Sequence, residues 1–129
     1  MARILLIEDD EGVRQSLRMG LEKLGHSVIE ASEGQEGLTL FARQGADLVL
    51  TDLIMPGKEG LETIQEFRQT YPHVKIIAMS GGARVGARDY LKVASQFGAC
   101  CVLTKPFSLM ALAEAIAAAL PAPRPEKTR

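Results

Sequence analysis

An α/β fold, a parallel sheet with helices on both faces, is predicted by three features of this 129-residue sequence. Short apolar runs recur five times, near 3–7, 27–31, 47–51, 74–79 and 99–103. The first of them, Arg3-Ile-Leu-Leu-Ile7, and the centre of the third, Leu48-Val-Leu50, are almost continuously apolar, as strands buried on both faces must be. Each run is followed by a segment whose apolar residues fall at helical spacing. Strands that alternate with helices imply a parallel sheet with right-handed crossovers, doubly wound.

The chain in order supports this reading. After the strand at 3–7, a helix is expected over Gly12 to Leu24, with Val13, Leu17, Leu21 and Leu24 on one face and Gly25 as its stop. Ser27 to Ala31 forms the second strand, and a second helix runs from Glu33 to Arg43. The third strand, Asp47 to Thr51, leads into Asp52 and a loop with Pro56 and two glycines. A third helix covers about Glu59 to Thr70, with Leu61, Ile64, Phe67 and Tyr71 on its inner side, and is ended by Pro72. The fourth strand, Val74 to Met79, stops at Ser80-Gly81-Gly82, and a helix is expected over Ala87 to Phe97. Ala99 to Leu103 is the fifth strand. Ser108 is a good N-cap for a last helix with Leu109, Leu112, Ile116 and Leu120 as its buried stripe. That makes five strands and five helices in one domain over residues 1–120. Residues 121–129 are proline-rich and charged, a tail or the start of a linker.

Composition narrows the function classes. Apolar residues make up 47% and charged residues 24%, the balance of a soluble globular domain. The net charge of -1 gives no basic excess, so direct nucleic-acid binding is not expected. The N-terminal apolar run is too short for a signal sequence, and no stretch approaches the roughly 20 apolar residues of a membrane span. A cytoplasmic location and no membrane contact are the expectation. Cys100 and Cys101 are adjacent on a strand and point to opposite faces, so they are read as core residues, neither a disulfide nor a metal site.

All strands of a parallel sheet end on one edge, where ligands of such folds bind. Strand one ends in Glu8-Asp9-Asp10, strand three in Asp52, strand four in Ser80 and strand five in Lys105. Singly, each has a bland explanation: the acids as helix caps, Ser80 as a turn residue, Lys105 as a solvated cation. Together on one edge they suggest metal-assisted phosphoryl transfer. A divalent cation relieves the repulsion of clustered carboxylates, and magnesium takes one or two carboxylates plus waters and phosphate oxygens. Asp52 is then a spectator, a metal ligand, or a nucleophile that forms an acyl phosphate. A lysine and a hydroxyl stabilise the transferred group.

With these residues in place, the sequence resembles the receiver domains of two-component response regulators over about residues 2–120. The resemblance rests on Glu8-Asp9-Asp10, Asp52 with Pro56 and Gly60 beyond it, Ser80, and Lys105-Pro106-Phe107. It implies a flavodoxin-like, three-layer fold with strand order 2-1-3-4-5. It also implies that Asp52 accepts a phosphoryl group from the phosphohistidine of a sensor histidine kinase or phosphotransfer protein. Mg2+ is then held by Asp9, Asp52 and the carbonyl of Ile54, with Glu8 acting through water; Asp10 as the direct ligand is the alternative. Lys105 binds a phosphoryl oxygen across a cis Lys105-Pro106 peptide, and Ser80 swings towards the phosphate to bias a two-state loop. The state is passed to a downstream target protein or output domain.

Two departures from the family pattern stand out. Receivers usually carry an aromatic residue or histidine three positions before the lysine, and here that position is Val102. Switching is therefore expected to proceed through the loop and helix after Ser80. That loop, Gly81-Gly-Ala-Arg-Val-Gly86, is longer than usual, and Arg84 and Arg88 either contact a partner or phosphate or belong to a tolerated surface insertion. Ile54 and Gly82 place no acid or amide near an attacking water, so phosphorylated Asp52 is expected to be long-lived and the chain is not a turnover enzyme. Two other classes compete. One is a receiver-shaped interaction module that is never phosphorylated, which the intact set Asp9, Asp52, Ser80 and Lys105 argues against. The other is an enzyme on the same scaffold. An aspartate phosphatase would want an acid where Ile54 stands, and a dinucleotide binder would want G-x-G-x-x-G where Glu8-Asp-Asp-Glu-Gly12 stands.

Overall fold

Five short strands, β1 (Arg3–Ile7), β2 (Ser27–Ala31), β3 (Leu48–Asp52), β4 (Lys75–Ser80) and β5 (Cys101–Thr104), pair in parallel in the order β2-β1-β3-β4-β5. The computed structural model describes residues 2–53, 60–80, 99 and 101–120. Four helices occur among them: α1 (Glu11–Lys23), α2 (Gly34–Gln44), α3 (Gly60–Thr70) and α4 (Leu109–Ala119). The helix expected over 87–97, Ile54, the loop at 81–86, Cys100 and the tail lie outside the described residues.

Alternation along the strands divides the core into two layers. Ile4, Leu6, Leu48, Leu50, Ile77 and Met79 face one side, where Leu21 of α1 and Leu112, Ala115 and Ile116 of α4 cover them. Leu5, Ile7, Val49, Ile76 and Ala78 face the other, under Ile64 and Phe67 of α3 and with Leu38 and Phe41 of α2 packed alongside. Phe41, Phe67 and Tyr71 meet there with centroids 4.5 to 6.1 Å apart. β3 is buried along its whole length because it lies in the middle of the sheet with helices above and below. Gly37 is where α2 crosses close to β1, since a Cβ there would lie 2.4 Å from Ile7 Cδ1.

The chain leaves β1 for β2 on one side and returns to place β3 on the other. The switch point therefore falls between β1 and β3, the position where this class of sheet opens a crevice at its carboxyl edge. Element boundaries differ from expectation by one or two residues. α1 starts at Glu11 because the Asp10 side chain accepts the Val13 N–H and caps it. α4 is capped in the same way by Ser108, whose Oγ accepts the Ala111 N–H. Leu109, expected in the buried stripe, is 40% exposed and rests over Gly20 of α1, while Val13, Leu17, Leu24 and Leu120 are half-buried. Nearly every residue of α4 is apolar, so its pattern does not single out one face. Cys101 is half-buried against the α1/α4 layer.

Candidate functional site

β1 projects Glu8 one residue past its last paired position, β3 ends on Asp52, and β5 is followed directly by Lys105. The Lys105 Nζ donates to Glu8 Oε1 at 2.7 Å and to Asp52 Oδ2 at 3.2 Å. The Lys105 backbone N–H donates to the Ser80 carbonyl at 2.7 Å, which fixes the end of β5 to the end of β4. The Lys105-Pro106 peptide is cis.

Glu8 is held from several directions. Its Oε2 accepts the Asp10 N–H at 3.2 Å, its N–H donates to the Ala31 carbonyl at 3.0 Å, and its carbonyl accepts from Arg14 Nη1 at 2.9 Å. Glu8 is 1% exposed and Asp52 8% exposed, whereas Asp9 lies open to solvent. One carboxylate oxygen from each of Glu8, Asp9 and Asp52 falls within 4.8 Å of the others.

Among the described residues, three acids gather near one ammonium. Burial pushes the Glu8 carboxyl above its ordinary value, and the charge of Asp52 adds to this; the hydrogen bonds from Lys105 and Asp10 oppose it without cancelling it. For Lys105, burial pulls the pKa down, but the hydrogen bond to Glu8 and the charges of Asp52 and Glu8 outweigh it, so the net shift is upward. The Glu8 shift is thus chiefly an effect of burial, and the Lys105 shift an effect of the two carboxylates it bonds. Oxygen donors gathered in this way, with Asp9 open to water, could hold a metal ion.

The structure separates the two adjacent aspartates. Asp10 is occupied as the cap of α1, and Asp9 joins Glu8 and Asp52. Ser80 ends β4 and is buried, one position beyond Met79, the register partner of Asp52. Val102 lies opposite Ala78 and packs into the α2/α3 layer, an aliphatic side chain in the core where the family resemblance would place a ring. The sequence pattern brought together Glu8, Asp9, Asp52 and Lys105 but passed over Arg14. Arg14 sits in the first turn of α1 and bonds the Glu8 carbonyl, and its Nε also donates to Glu30 Oε1 of β2 at 3.3 Å. Only the three-dimensional crossing of α1 over β1 and β2 puts it there.

Comparison with known proteins agrees with this geometry. The pattern of the response regulator receiver domain matches residues 4–117. The chain is 36% identical to the sensor kinase CckA of Brucella abortus, over 89% of this chain and 12% of that protein. It is 34% identical to the response regulator protein FleR of Pseudomonas aeruginosa, covering 90% of this chain and 24% of that protein. Among solved structures, a response regulator receiver domain protein from Clostridium thermocellum superposes with a TM-score of 0.85 at 32% identity, covering 92% of this chain and 94% of that one. The chain belongs to the response regulator receiver domain family. It spans only 12% and 24% of those two curated relatives, so it matches a part of each. Among the described residues no helix is long and apolar enough to cross a membrane.

Proposed function

We propose that this chain is a phosphorylation-controlled switch in which Asp52 accepts a phosphoryl group from the phosphohistidine of a sensor histidine kinase or phosphotransfer protein. One observation carries the reading: the Lys105 ammonium lies 3.2 Å from Asp52 Oδ2, and carboxylate oxygens of Glu8, Asp9 and Asp52 lie within 4.8 Å of one another. In the transfer, an Asp52 oxygen attacks phosphorus and the phosphorus–nitrogen bond to the donor imidazole breaks. The products are an aspartyl acyl phosphate and a free imidazole that takes its proton from solvent.

Lys105 supports charge on the equatorial oxygens of the transferring group, as a preorganised cation does without reorganising. Asp9 and Asp52, with the Ile54 carbonyl and with Glu8 through water, are the residues that would hold magnesium. Magnesium, when bound, neutralises charge on the carboxylates and the phosphoryl oxygens. Ser80 donates its hydroxyl to the new phosphate and biases the following loop. The acyl phosphate is long-lived, because the side chains at 54 and 82 supply no acid or amide to orient water. Output passes to a target protein or an output domain, and the cytoplasm is the compartment in which such a switch meets its kinase.

The test is incubation with magnesium and a small acyl-phosphate donor, read on a phosphate-affinity gel beside Asp52→Ala. Wild type should give a retarded band that requires magnesium and that the variant lacks. If no retarded band depends on both magnesium and Asp52, the switch reading fails.

A further inference from the structure

Among the described residues, Arg14 is the one cation that touches the backbone of the acidic turn without touching its carboxylates. Its Nη1 donates to the Glu8 carbonyl at 2.9 Å, and its Nε donates to Glu30 Oε1 at 3.3 Å. The side chain is only 18% exposed, and it lies close enough to Glu36 for its charge to help lower the Glu36 pKa, behind the hydrogen bonds from Ser32. The guanidinium thus spans from β2 to the point where β1 turns into α1. Two further bonds complete the turn: Asp10 caps α1, and the Asp10 N–H reaches back to Glu8 Oε2. Asp9 is the residue between these anchored points. Its place beside Glu8 and Asp52 depends on a turn whose carbonyl is tied by Arg14.

Building on the magnesium-dependent reading of the site, we infer that Arg14 is a positioning residue for the cation-binding acids. It holds the Glu8 carbonyl so that the turn presents Asp9 and Glu8 together, while Glu30 offsets its charge. A residue that orients metal-binding groups through a second layer of hydrogen bonds typically controls affinity by ten- to a hundredfold. Charge alone predicts the opposite sign, since deleting a nearby cation should favour a divalent ion. The direction of the change therefore separates the two roles.

The experiment is magnesium titration of the full chain without any phosphodonor, followed by the amide shifts of residues 8–10, with unfolding midpoints in EDTA alongside. Arg14→Gln should weaken magnesium binding about tenfold. Arg18→Gln removes a neighbouring α1 arginine that bonds Glu22 and Glu30 but not Glu8. It should leave magnesium affinity at the wild-type value, and the EDTA midpoints report how far each substitution acts on stability alone. Arg14→Lys keeps the charge but lacks the fork that reaches both anchors. It should lose part of the affinity, and it carries the test if Arg14→Gln does not fold. Wild-type or tighter magnesium binding in the Arg14 variants overturns the inference. If wild type binds no magnesium, the failure lies in the underlying reading of the site and the inference falls with it.

Discussion

The two edges of the sheet use the same kinds of side chain to different ends. At the amino edge, Asp47 Oδ2 accepts the Arg3 N–H at 2.8 Å, Arg3 Nη1 donates to the Gln44 carbonyl at 3.0 Å, and His26 Nδ1 accepts the Ala2 N–H at 3.1 Å. Arg3 and Asp47 are exposed, and these bonds satisfy backbone groups where strands begin. At the carboxyl edge, Glu8 and Asp52 are buried and share one ammonium. The first arrangement is locally satisfied. The second places two buried carboxylates on one ammonium, and burial pushes Glu8 upward. The difference sets apart the edge on which the proposed function rests.

The largest break in this contrast should come from Lys105→Met. Removing one partner of a buried ion pair costs about 3 kcal/mol, the low end of the usual range because 24% of the Lys105 side chain is exposed. Urea unfolding in EDTA should show the loss, and magnesium should recover part of it. No loss in EDTA would mean that the carboxyl edge is as locally satisfied as the amino edge.

The pH dependence of Glu8 comes next. Its folded-state pKa lies above the ordinary 4.5, so its favourable contribution is present below pH 4.5 and is lost as pH rises through the raised value. Against Glu8→Gln in EDTA, wild type should become progressively less stable by comparison as pH rises through that window. Magnesium, which favours the ionised carboxylate, should flatten the trend. An upward trend for wild type would reverse the sign of the burial argument.

The adjacent aspartates give a sharper, smaller contrast. Asp10→Ala should cost about 1 kcal/mol in thermal or urea unfolding, the usual loss of an N-cap, and leave magnesium affinity close to wild type. Asp9→Ala should do the reverse, sparing stability and weakening magnesium in the same titration. Equal effects from both would erase the distinction. At the amino edge, Asp47→Ala removes one exposed bond to the Arg3 N–H and should cost no more than about 1 kcal/mol, with no change in magnesium affinity.

Much of this was legible in the sequence because strand polarity does the assembling. Once 3–7, 48–52 and 101–104 are parallel strands, Glu8, Asp52 and Lys105 share one edge, and the strand order that the receiver resemblance implies brings them together there. The two sheet layers follow as directly from the alternation of Leu48, Val49 and Leu50. What the sequence left open depended on hydrogen bonds and helix crossings. Asp9 and Asp10 are equivalent as letters, and only the Val13 N–H assigns one of them to the cap. Arg14 has no pattern of its own, since its role needs β2 to bring Glu30 alongside. Leu109 looked like core because a helix as uniformly apolar as α4 hides which side is outermost.

The central claim is that Asp52 is the acid that takes the phosphoryl group. It is tested most directly by treating the full chain with a small acyl-phosphate donor and magnesium, reducing with borohydride, and mapping peptides by mass. The account predicts homoserine at position 52, formed by reduction of an acyl phosphate, and none when EDTA replaces magnesium. Homoserine at another acid, or none at all while the donor is consumed, would contradict it.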